Sequence, residues 1–410
     1  MKPRGRVLYL VRESLTAPIS HLHGLEQTVA LSAERPFSVI SFEPWRRGRS
    51  ANDAAEYERV RQRLLAHDVA HWPMPVVGTR WLEIPMGATA VLASVVFGGT
   101  RVVHARSYFP GIMAMLVRPL VNARFLFDMR GLFVDEYLLE GAFEPGTARL
   151  RFARWLERRL LRRADAIVVV SERFRDHLME RSDLDRVLDP DKITVIPNRV
   201  DLRRFKGPLD RREAARARRG WNGSLVFAYA GSSAKWHRLD RTVELVARVL
   251  GAMPEARFAA TVYPNPEALR RMALAEGIPP GRMDLTTSPV EEVPGFLAAA
   301  DVGLMLIDDD ISKQVCAPIK FSEYMAAGLP VVAGGGIGDT RDWIDQHSLG
   351  ILVDPDDPAG AAEAVATAAA QGDLRSDSAR RRCLTFAADR LDMRDTLSDY
   401  ETIYRTLERR

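Results

Sequence analysis

A stretch in the second half of the chain places a proline, a lysine and a carboxylate at helical spacing. Residues 313–335 read KQVCAPIKFSEYMAAGLPVVAGG. Pro318 and Ile319 suit the first turn of a helix, and Lys320 and Glu323 follow near its N-terminal end. Unpaired backbone N–H groups, the helix dipole and the ammonium group of Lys320 would together face a diphosphate. Glu323 would accept both hydroxyl groups of a ribose, so the stretch predicts a nucleotide site.

The strands on either side must hold this helix in place. One candidate strand ends at Ile307 and the next opens at Pro330, which makes the helix the centre of a β-α-β unit. From residue types alone a second interpretation stays open. Lys320 and Glu323 would then be an ordinary surface ion pair at i and i+3, which stabilises a helix by only about 0.2–0.5 kcal/mol.

The rest of the chain repeats the same alternation of short apolar runs and amphipathic helices, which is typical of α/β folds with parallel sheets. The strand candidates are residues 6–11, 37–42, 81–85, 102–105, 125–129, 167–170, 193–197, 225–230, 258–263, 283–287, 302–307, 330–333 and 351–353. A polar, arginine-rich stretch at 203–223 interrupts the alternation and is interpreted as a linker. We therefore predict two Rossmann-like domains, 1–205 and 206–390. A terminal segment, 391–410, carries an apolar helical stripe that would pack back on the first domain.

Composition narrows the class of protein. The 410 residues are 47% apolar, and the formal net charge is only +4, which is unlike a nucleic-acid-binding protein. Two distant cysteines argue against a disulfide framework and a thiolate metal site. The apolar run Val7–Val11 is too short for a signal peptide, and no continuous apolar run is long enough to span a membrane. We expect a cytoplasmic protein. The basic helix 149–163 is either a contact for anionic membrane or a solvated face.

The motifs resemble those of a known enzyme family. Glu323 and the run Ala326-x-Gly328-x-Pro330-Val331-Val332 are similar to the nucleotide-sugar site of retaining glycosyltransferases with the GT-B fold, in particular glycosyltransferase family 4 (group 1). Two further similarities are the segment 196–205, which contains PNRVD, and the segment 229–232 at the start of the second domain. The resemblance implies two Rossmann-like domains facing each other across a cleft.

The family resemblance also implies the reaction. A sugar would pass from a nucleoside diphosphate sugar to an acceptor, which is a saccharide, a lipid-linked glycan or a small molecule, with retention of configuration. No metal cofactor is expected. Two alternatives stay open: a sugar-nucleotide epimerase or phosphorylase on the same fold, and a non-catalytic sugar-nucleotide-binding subunit.

Several positions depart from the family pattern. Val315 stands where the first glutamate of E-x7-E would contact the donor sugar. Ser232 and His237 stand where an arginine and a lysine would neutralise the diphosphate. The neighbouring Lys235 and Arg238 are therefore expected to supply that charge together with His237, next to Gly231.

In the first domain, Asp128 and Arg130 follow a strand where the family often has a histidine facing the donor sugar. With His237 they are the catalytic candidates, although Asp128 would equally suit a capping role in the next turn. Asp308–Asp310 has the composition of a metal site but no second set of ligands, so we interpret it as a solvated loop.

Overall fold

The computed structural model describes residues 5–17, 21–44, 51–78 and 80–409. The chain forms two compact units. The first comprises Met1–Ile196 and Asp395–Arg410, and the second comprises Pro197–Arg394. The expected boundary after residue 205 therefore lies inside the second unit.

The first unit is built on a parallel sheet with the strand order β3-β2-β1-β4-β5-β6-β7. Its strands are β1 (Arg6–Leu10), β2 (Phe37–Glu43), β3 (Ala70–Pro75), β4 (Thr100–Arg106), β5 (Arg124–Asp128), β6 (Ala166–Val169) and β7 (Ile193–Val195). The central strands are buried on both faces, as their continuous apolar runs predict. β3 was not among the predicted strands. Its sequence, AHWPMP, contains two prolines, which a sheet tolerates at an edge such as this one.

Helices cover the faces of this sheet. They are α1 (Gln27–Ser32), α2 (Ala51–Ala66), α3 (Arg80–Gly98), α4 (Tyr108–Val117), α5 (Phe133–Leu139), α6 (Ala148–Arg163) and α7 (Glu172–Glu180). α3 packs against α4, and α4 packs against α6. Thr147 caps the start of α6 by accepting a hydrogen bond from the backbone N–H of Leu150.

The predicted strand at 81–85 is wrong, because these residues lie in α3. A short apolar run does not distinguish a strand from a helix, and the run continues through alanine-rich sequence that favours a helix. Pro85 lies in the second turn of α3. The segment Trp81–Gly98 is long and apolar enough to cross a membrane by length and composition, and 28% of it is buried. Glu83 interrupts this segment, which is therefore not one continuous apolar run.

The second unit has a parallel sheet with the order β10-β9-β8-β11-β12-β13. Its strands are β8 (Leu225–Ser232), β9 (Ala256–Tyr263), β10 (Met283–Thr286), β11 (Val302–Met305), β12 (Val331–Gly334) and β13 (Gly350–Val353). Its helices are α8 (Arg203–Asp210), α9 (Arg212–Arg219), α10 (Leu239–Ala252), α11 (Glu267–Ala275), α12 (Val293–Ala298), α13 (Ile311–Gln314), α14 (Ile319–Ala326), α15 (Thr340–His347), α16 (Pro358–Gln371) and α17 (Asp377–Arg390). Apolar clusters fill both faces of the sheet.

The stretch interpreted as a linker, 203–223, instead forms α8 and α9 and packs on the second unit. Arg216 is 5% exposed and donates hydrogen bonds to the carboxylate of Asp301 and to the backbone carbonyls of Ala299, Trp221 and Ser224. The stretch was interpreted as a solvated linker because of its arginines, but some of these arginines are internal hydrogen-bond donors.

The last helix, α18 (Met393–Arg409), belongs mainly to the first unit. Its apolar stripe joins the core of that unit, and its polar groups add specific contacts. Tyr404 Oη lies 2.7 Å from His104 Nδ1. The buried Arg35 donates to Glu401 at 2.7 Å and to Glu408 at 2.8 Å. These contacts tie the end of the chain to the sheet that begins it.

Candidate functional site

Ligands of open parallel sheets bind beyond the carboxyl ends of the strands, at the point where the strand order reverses. We call the edge where the strands end the carboxyl edge. In the second unit the reversal falls between β8 and β11. Gly231 and Ser232 are the last two residues of β8 and lie at this point. Gly231 has φ of 152°, and a Cβ there would lie 3.0 Å from Tyr229 Oη and 3.1 Å from Lys320 Nζ. Only glycine fits at this position without a shift of its neighbours.

Lys320 is held in the interior at this edge. It is 5% exposed, and its Nζ lies 3.0 Å from His237 Nδ1 and 3.3 Å from Tyr229 Oη. The same ammonium group lies 4.3 Å from the centroid of the Tyr229 ring, a cation–π contact. Burial lowers the pKa of Lys320 to about 7, while the charge of Glu323 acts in the opposite direction. Lys320 therefore changes its charge near neutral pH.

His237 supplies a neutral partner. Burial, the charge of Lys320 and the charge of Lys313 lower the pKa of His237 to about 2. Its Nδ1 therefore accepts the hydrogen bond from the ammonium group of Lys320 rather than competing with it as a second cation. The ring packs on Trp236, with 3.5 Å between ring centroids. The structure thus brings the predicted His237 to Lys320, in a role that does not add positive charge.

Glu323 lies one turn along α14. It is 7% exposed, and its carboxylate makes no hydrogen bond to any residue in the described ranges. Burial raises the pKa of Glu323 to about 7, against the opposing charges of Arg204 and Lys320. A buried carboxylate without hydrogen bonds is costly to the fold, and hydroxyl groups of a ligand would satisfy it. The carboxylate is therefore free to accept hydroxyl donors.

The start of α14 is fixed by an earlier segment. Pro318 is the residue before its first turn, with φ of −65° and ψ of 121°, and Ile319 is the first helical residue. Asn198 donates to the carbonyl of Ala317 at 2.5 Å, and Ser322 donates to the carbonyl of Asn198 at 2.6 Å. The PNRVD segment noted in the sequence thus positions the helix start, a role that its sequence alone did not reveal.

The other two predicted cations are placed differently. Arg238 forms ion pairs with Asp356 at 2.9 Å and Asp308 at 3.4 Å, so much of its charge is already neutralised. Lys235 is exposed, and its ammonium group has no hydrogen bond or ion pair to the described part of the chain. Lys235 is therefore the more available of the two for an incoming anion.

Val315 and the acidic loop have structural contacts. Val315 is 1% exposed and lies in the interior. In the loop, Asp308 pairs with Arg238, Asp309 accepts a hydrogen bond from Gln314, and Asp310 caps α13 through the backbone N–H of Ser312. No group of residues suited to hold a metal ion occurs among the described residues.

In the first unit, Asp128 ends β5 at the carboxyl edge but is 1% exposed. It contacts Arg130 at 3.3 Å, Tyr400 Oη at 3.3 Å and His104 Nε2 at 3.4 Å. Burial would raise the pKa of Asp128, but Arg130, His104 and Arg106 outweigh burial and hold it well below its usual range. Asp128 thus joins β4, β5 and α18. Arg130 is the more exposed member of this predicted pair.

Two residues of the site were not predicted. Tyr229 supplies the ring and hydroxyl group against Lys320, and Arg204 contributes a charge near Glu323. Tyr229 stands two residues before the strand-ending Gly231 and therefore on the same face of β8. That period-two relation is the signal that would have indicated it.

Two family models match the chain. A glycosyl transferase 4-like domain matches residues 23–199, and the domain of glycosyl transferases group 1 matches residues 224–371. The chain belongs to the group 1 glycosyl transferases. The second match contains Gly231, His237, Lys320 and Glu323, so these residues of the candidate site lie within the group 1 domain.

Similar proteins agree with this assignment. The D-inositol 3-phosphate glycosyltransferase of Geodermatophilus obscurus is 30% identical over 212 residues, which are 49% of this chain and 46% of that protein. The enzyme of the same name from Corynebacterium kroppenstedtii is 29% identical over 57% of this chain and 50% of its own length. The chain thus spans about half the length of these relatives.

Solved structures share the fold of this group 1 glycosyl transferase. A sucrose-phosphate synthase from Thermosynechococcus elongatus has a TM-score of 0.71 at 16% identity, covering 98% of this chain and 99% of its own. Anabaena HepE in complex with UDP and glucose has a TM-score of 0.70 at 14% identity, covering 98% of this chain and all of that one. The fold is that of the GT-B glycosyltransferases, which confirms the predicted α/β fold class.

The buried ammonium group predicts a trade-off between stability and binding. Replacing Lys320 by methionine should raise the free energy of unfolding without ligand on the order of 1–3 kcal/mol at pH 6, where the wild type buries a full charge. Above pH 7 the folded wild type loses this proton, while the unfolded chain keeps it up to about pH 10.4. The wild type therefore gains stability as pH rises, and the advantage of the variant should shrink.

Urea unfolding at pH 6, 7 and 8 measures this difference. The exposed Lys235→Met variant is the control and should change stability by less than about 0.5 kcal/mol at each pH. A Lys320→Met protein that is less stable than wild type at pH 6 would show that the contacts of the ammonium group outweigh its desolvation.

Proposed function

We propose that this group 1 glycosyl transferase is an enzyme that transfers a sugar from a nucleoside diphosphate sugar to an acceptor with retention of configuration. The observation that carries the proposal is that two buried ionisable groups lie near each other at the carboxyl edge of the second sheet. Lys320 is a cation suited to a diphosphate, and Glu323 is a carboxylate without hydrogen bonds, suited to a ribose. UDP, found in complex with Anabaena HepE, is the first nucleotide to test.

Charge neutralisation is the main catalytic requirement in this proposal. When the sugar leaves, negative charge develops on the diphosphate. Preorganised donors that face this charge stabilise the transition state. The start of α14 and Lys320 would provide them, with Lys235 at the rim. An arriving diphosphate would raise the pKa of Lys320 from about 7 and keep its ammonium group charged.

The neutralising charges in this scheme belong to the protein, so we propose that transfer needs no divalent metal cofactor. Undiminished turnover in excess EDTA is the expected result. The acceptor would be a saccharide, a lipid-linked glycan or a small molecule, bound by the first unit. Asp128 and Arg130, the catalytic candidates of this unit, would act on the donor sugar, Arg130 by direct contact and Asp128 by holding Arg130 in position.

Product analysis tests the reaction. The enzyme should release the nucleoside diphosphate and form a glycoside whose anomeric configuration, determined from the proton coupling of the anomeric centre, equals that of the donor. Inversion would contradict the retaining mechanism. Conversion of the donor without an acceptor would indicate an epimerase, and dependence on inorganic phosphate would indicate a phosphorylase. Donor binding without turnover would indicate a binding subunit.

Glu323 is expected to bind the ribose of the donor. Replacing it by alanine should weaken binding of the preferred nucleoside diphosphate about 10- to 100-fold, the loss typical of a hydrogen bond to a charged group. Calorimetric titration with the best ligand among UDP, GDP and ADP measures this. The exposed Glu363→Ala variant serves as the control and should bind like wild type.

A 2′-deoxy nucleotide makes the test specific to the ribose. Removal of the 2′-hydroxyl group should weaken binding to the wild type but should have little further effect on Glu323→Ala, because both changes remove the same contact. If the two losses add fully, Glu323 does not bind that hydroxyl group.

We also propose that this protein is cytoplasmic and contacts an anionic membrane peripherally. α6 exposes Phe152, Trp155 and several arginines, and its one carboxylate, Glu157, is buried. α3 exposes Leu82 and Val96 on one side, at a spacing of four turns. Aromatic rings and aliphatic side chains next to arginines suit the interface of a bilayer that contains anionic lipid.

Sedimentation with vesicles tests this contact. Wild-type protein should bind vesicles containing phosphatidylglycerol more strongly than phosphatidylcholine vesicles, and the binding should fall as salt rises. The double variant Phe152→Ser, Trp155→Ser should lose most of the binding. The control is Leu274→Ser, which removes an exposed apolar side chain from the second unit. Equal sedimentation of the double variant and wild type would rule out α6 as the contact.

A further inference from the structure

The first sheet has its own strand-order reversal. β1 and β4 are neighbours there, and the chain leaves β1 toward β2 but leaves β4 toward β5. Arg12 lies two residues beyond the end of β1, Arg106 is the last residue of β4, and Ser107 follows it. Two arginines and a serine therefore follow or end the two strands that flank the position at which open parallel sheets bind ligands.

The guanidinium group of Arg106 is buried without hydrogen bonds to the described residues. Its side chain is 8% exposed, and its one ion pair to a described residue is with Asp128, at 3.7 Å between Nη1 and Oδ2. Asp128 is itself shared with Arg130, His104 and Tyr400. A guanidinium group has five N–H donors, and those of Arg106 have no acceptor in the described structure. Buried donors of this kind are normally satisfied, and an anionic ligand would satisfy them.

Ser107 has a strained backbone at the same point. Its φ of 71° and ψ of −179° lie in a region that residues other than glycine rarely adopt. The conformation is fixed by a 2.8 Å hydrogen bond from its N–H to the carbonyl of Asp128. Its side chain does not cap α4, the ten-residue helix that starts at Tyr108. The Ser107 hydroxyl group and the positive end of the α4 dipole thus lie next to Arg106 in the chain.

Arg12 is held by one edge only. Its Nε donates to Glu83 Oε2 at 2.8 Å, and its guanidinium carbon lies 5.8 Å from the centroid of the Phe109 ring. The side chain of Glu83 is fully buried, while that of Arg12 is 23% exposed. Glu83 therefore positions Arg12 from the interior and leaves its two terminal NH2 groups unpaired among the described residues. A planar guanidinium held in this way suits bidentate contact with an oxyanion.

We propose that Arg106, Arg12, Ser107 and the start of α4 bind a phosphate group of the acceptor. The acceptor is accordingly a phosphorylated molecule, either a soluble sugar phosphate or a lipid carrier phosphate. This inference rests on the proposed transfer function for its meaning, but the anion site itself is testable without any turnover.

The first experiment measures thermal unfolding in inorganic phosphate against chloride at equal ionic strength. Phosphate should raise the unfolding temperature of wild type, because a ligand of the folded state stabilises it. Arg106→Gln should lose at least half of that increase, and Arg106→Lys should keep more of it than Arg106→Gln. Lys320→Gln should leave this contribution in place, which separates it from any phosphate bound in the second unit.

The matched control is Arg124→Gln. Arg124 lies on β5 at the opposite edge of the same sheet and pairs with Asp165 at 3.3 Å. This variant should keep the full phosphate effect. The proposal is overturned if phosphate does not stabilise wild type, if Arg106→Gln keeps the whole increase, or if Arg124→Gln loses as much as Arg106→Gln.

Crystals of the wild type soaked in tungstate give a test that does not depend on any variant folding. An anomalous peak within hydrogen-bonding distance of Arg106 and Ser107 is expected. Its absence, with tungstate bound elsewhere in the same crystal, would count against the site.

Acceptor kinetics then distinguish the source of the phosphate. Arg106→Gln should raise KM for the phosphorylated acceptor at least tenfold, with binding of the donor nucleotide unchanged. Preference for a sugar phosphate such as glucose 6-phosphate would identify a soluble acceptor, and preference for a polyprenyl phosphate in micelles would identify a lipid carrier. If no donor nucleotide binds while the stabilisation by inorganic phosphate still depends on Arg106, the transfer function is contradicted and the anion site is supported.

Discussion

The contact between the ammonium group of Lys320, the neutral ring of His237 and the face of Tyr229 is the interaction on which the second unit's site depends. Burying an ammonium group is costly, and a histidine that stayed protonated would make it more so. Because His237 is neutral, it accepts a hydrogen bond at 3.0 Å instead of repelling the lysine. Gly231 completes the arrangement, since a Cβ there would collide with both Lys320 and Tyr229.

The family pattern places its diphosphate cations directly after the first strand of the second domain, and here those positions hold Ser232 and His237. We infer a physical reason why such a change would be tolerable. The cation next to this edge comes from α14 instead, and His237 supports it as an acceptor. A position-by-position sequence comparison would record the loss of two cationic residues. In the fold, Lys320 keeps one positive charge at the carboxyl edge of the second sheet.

Much of the fold and part of the site could be predicted from the sequence. The wrong predictions fall where the residue types of a short segment do not determine its surroundings in the fold. Buried strands such as β5 and β8 could be predicted from the sequence because both of their faces are apolar. The strand prediction for residues 81–85 was wrong because a short apolar run fits a strand and a helix equally well. The residues that decide for a helix lie further along the chain, in the alanine-rich part of α3. Residues 203–223 misled because arginine suggests solvent, while Arg216 in fact donates to Asp301 and to three backbone carbonyls.

The candidate site residues also differ in whether their partners are near or distant in sequence. Lys320 and Glu323 are near in sequence, so helical spacing alone brought them together. Asp128 could not be interpreted from its neighbours, because its partners His104 and Tyr400 are distant in the chain and only the folded first unit assembles them. Burial in a network leaves Asp128 with little capacity to bind anything further. By contrast, Glu323 and Arg106 are buried ionisable groups without hydrogen bonds. A fold under selection for stability alone would pair or replace such groups. Their presence at the strand-order reversals of two separate sheets is best explained if ligands complete both sites.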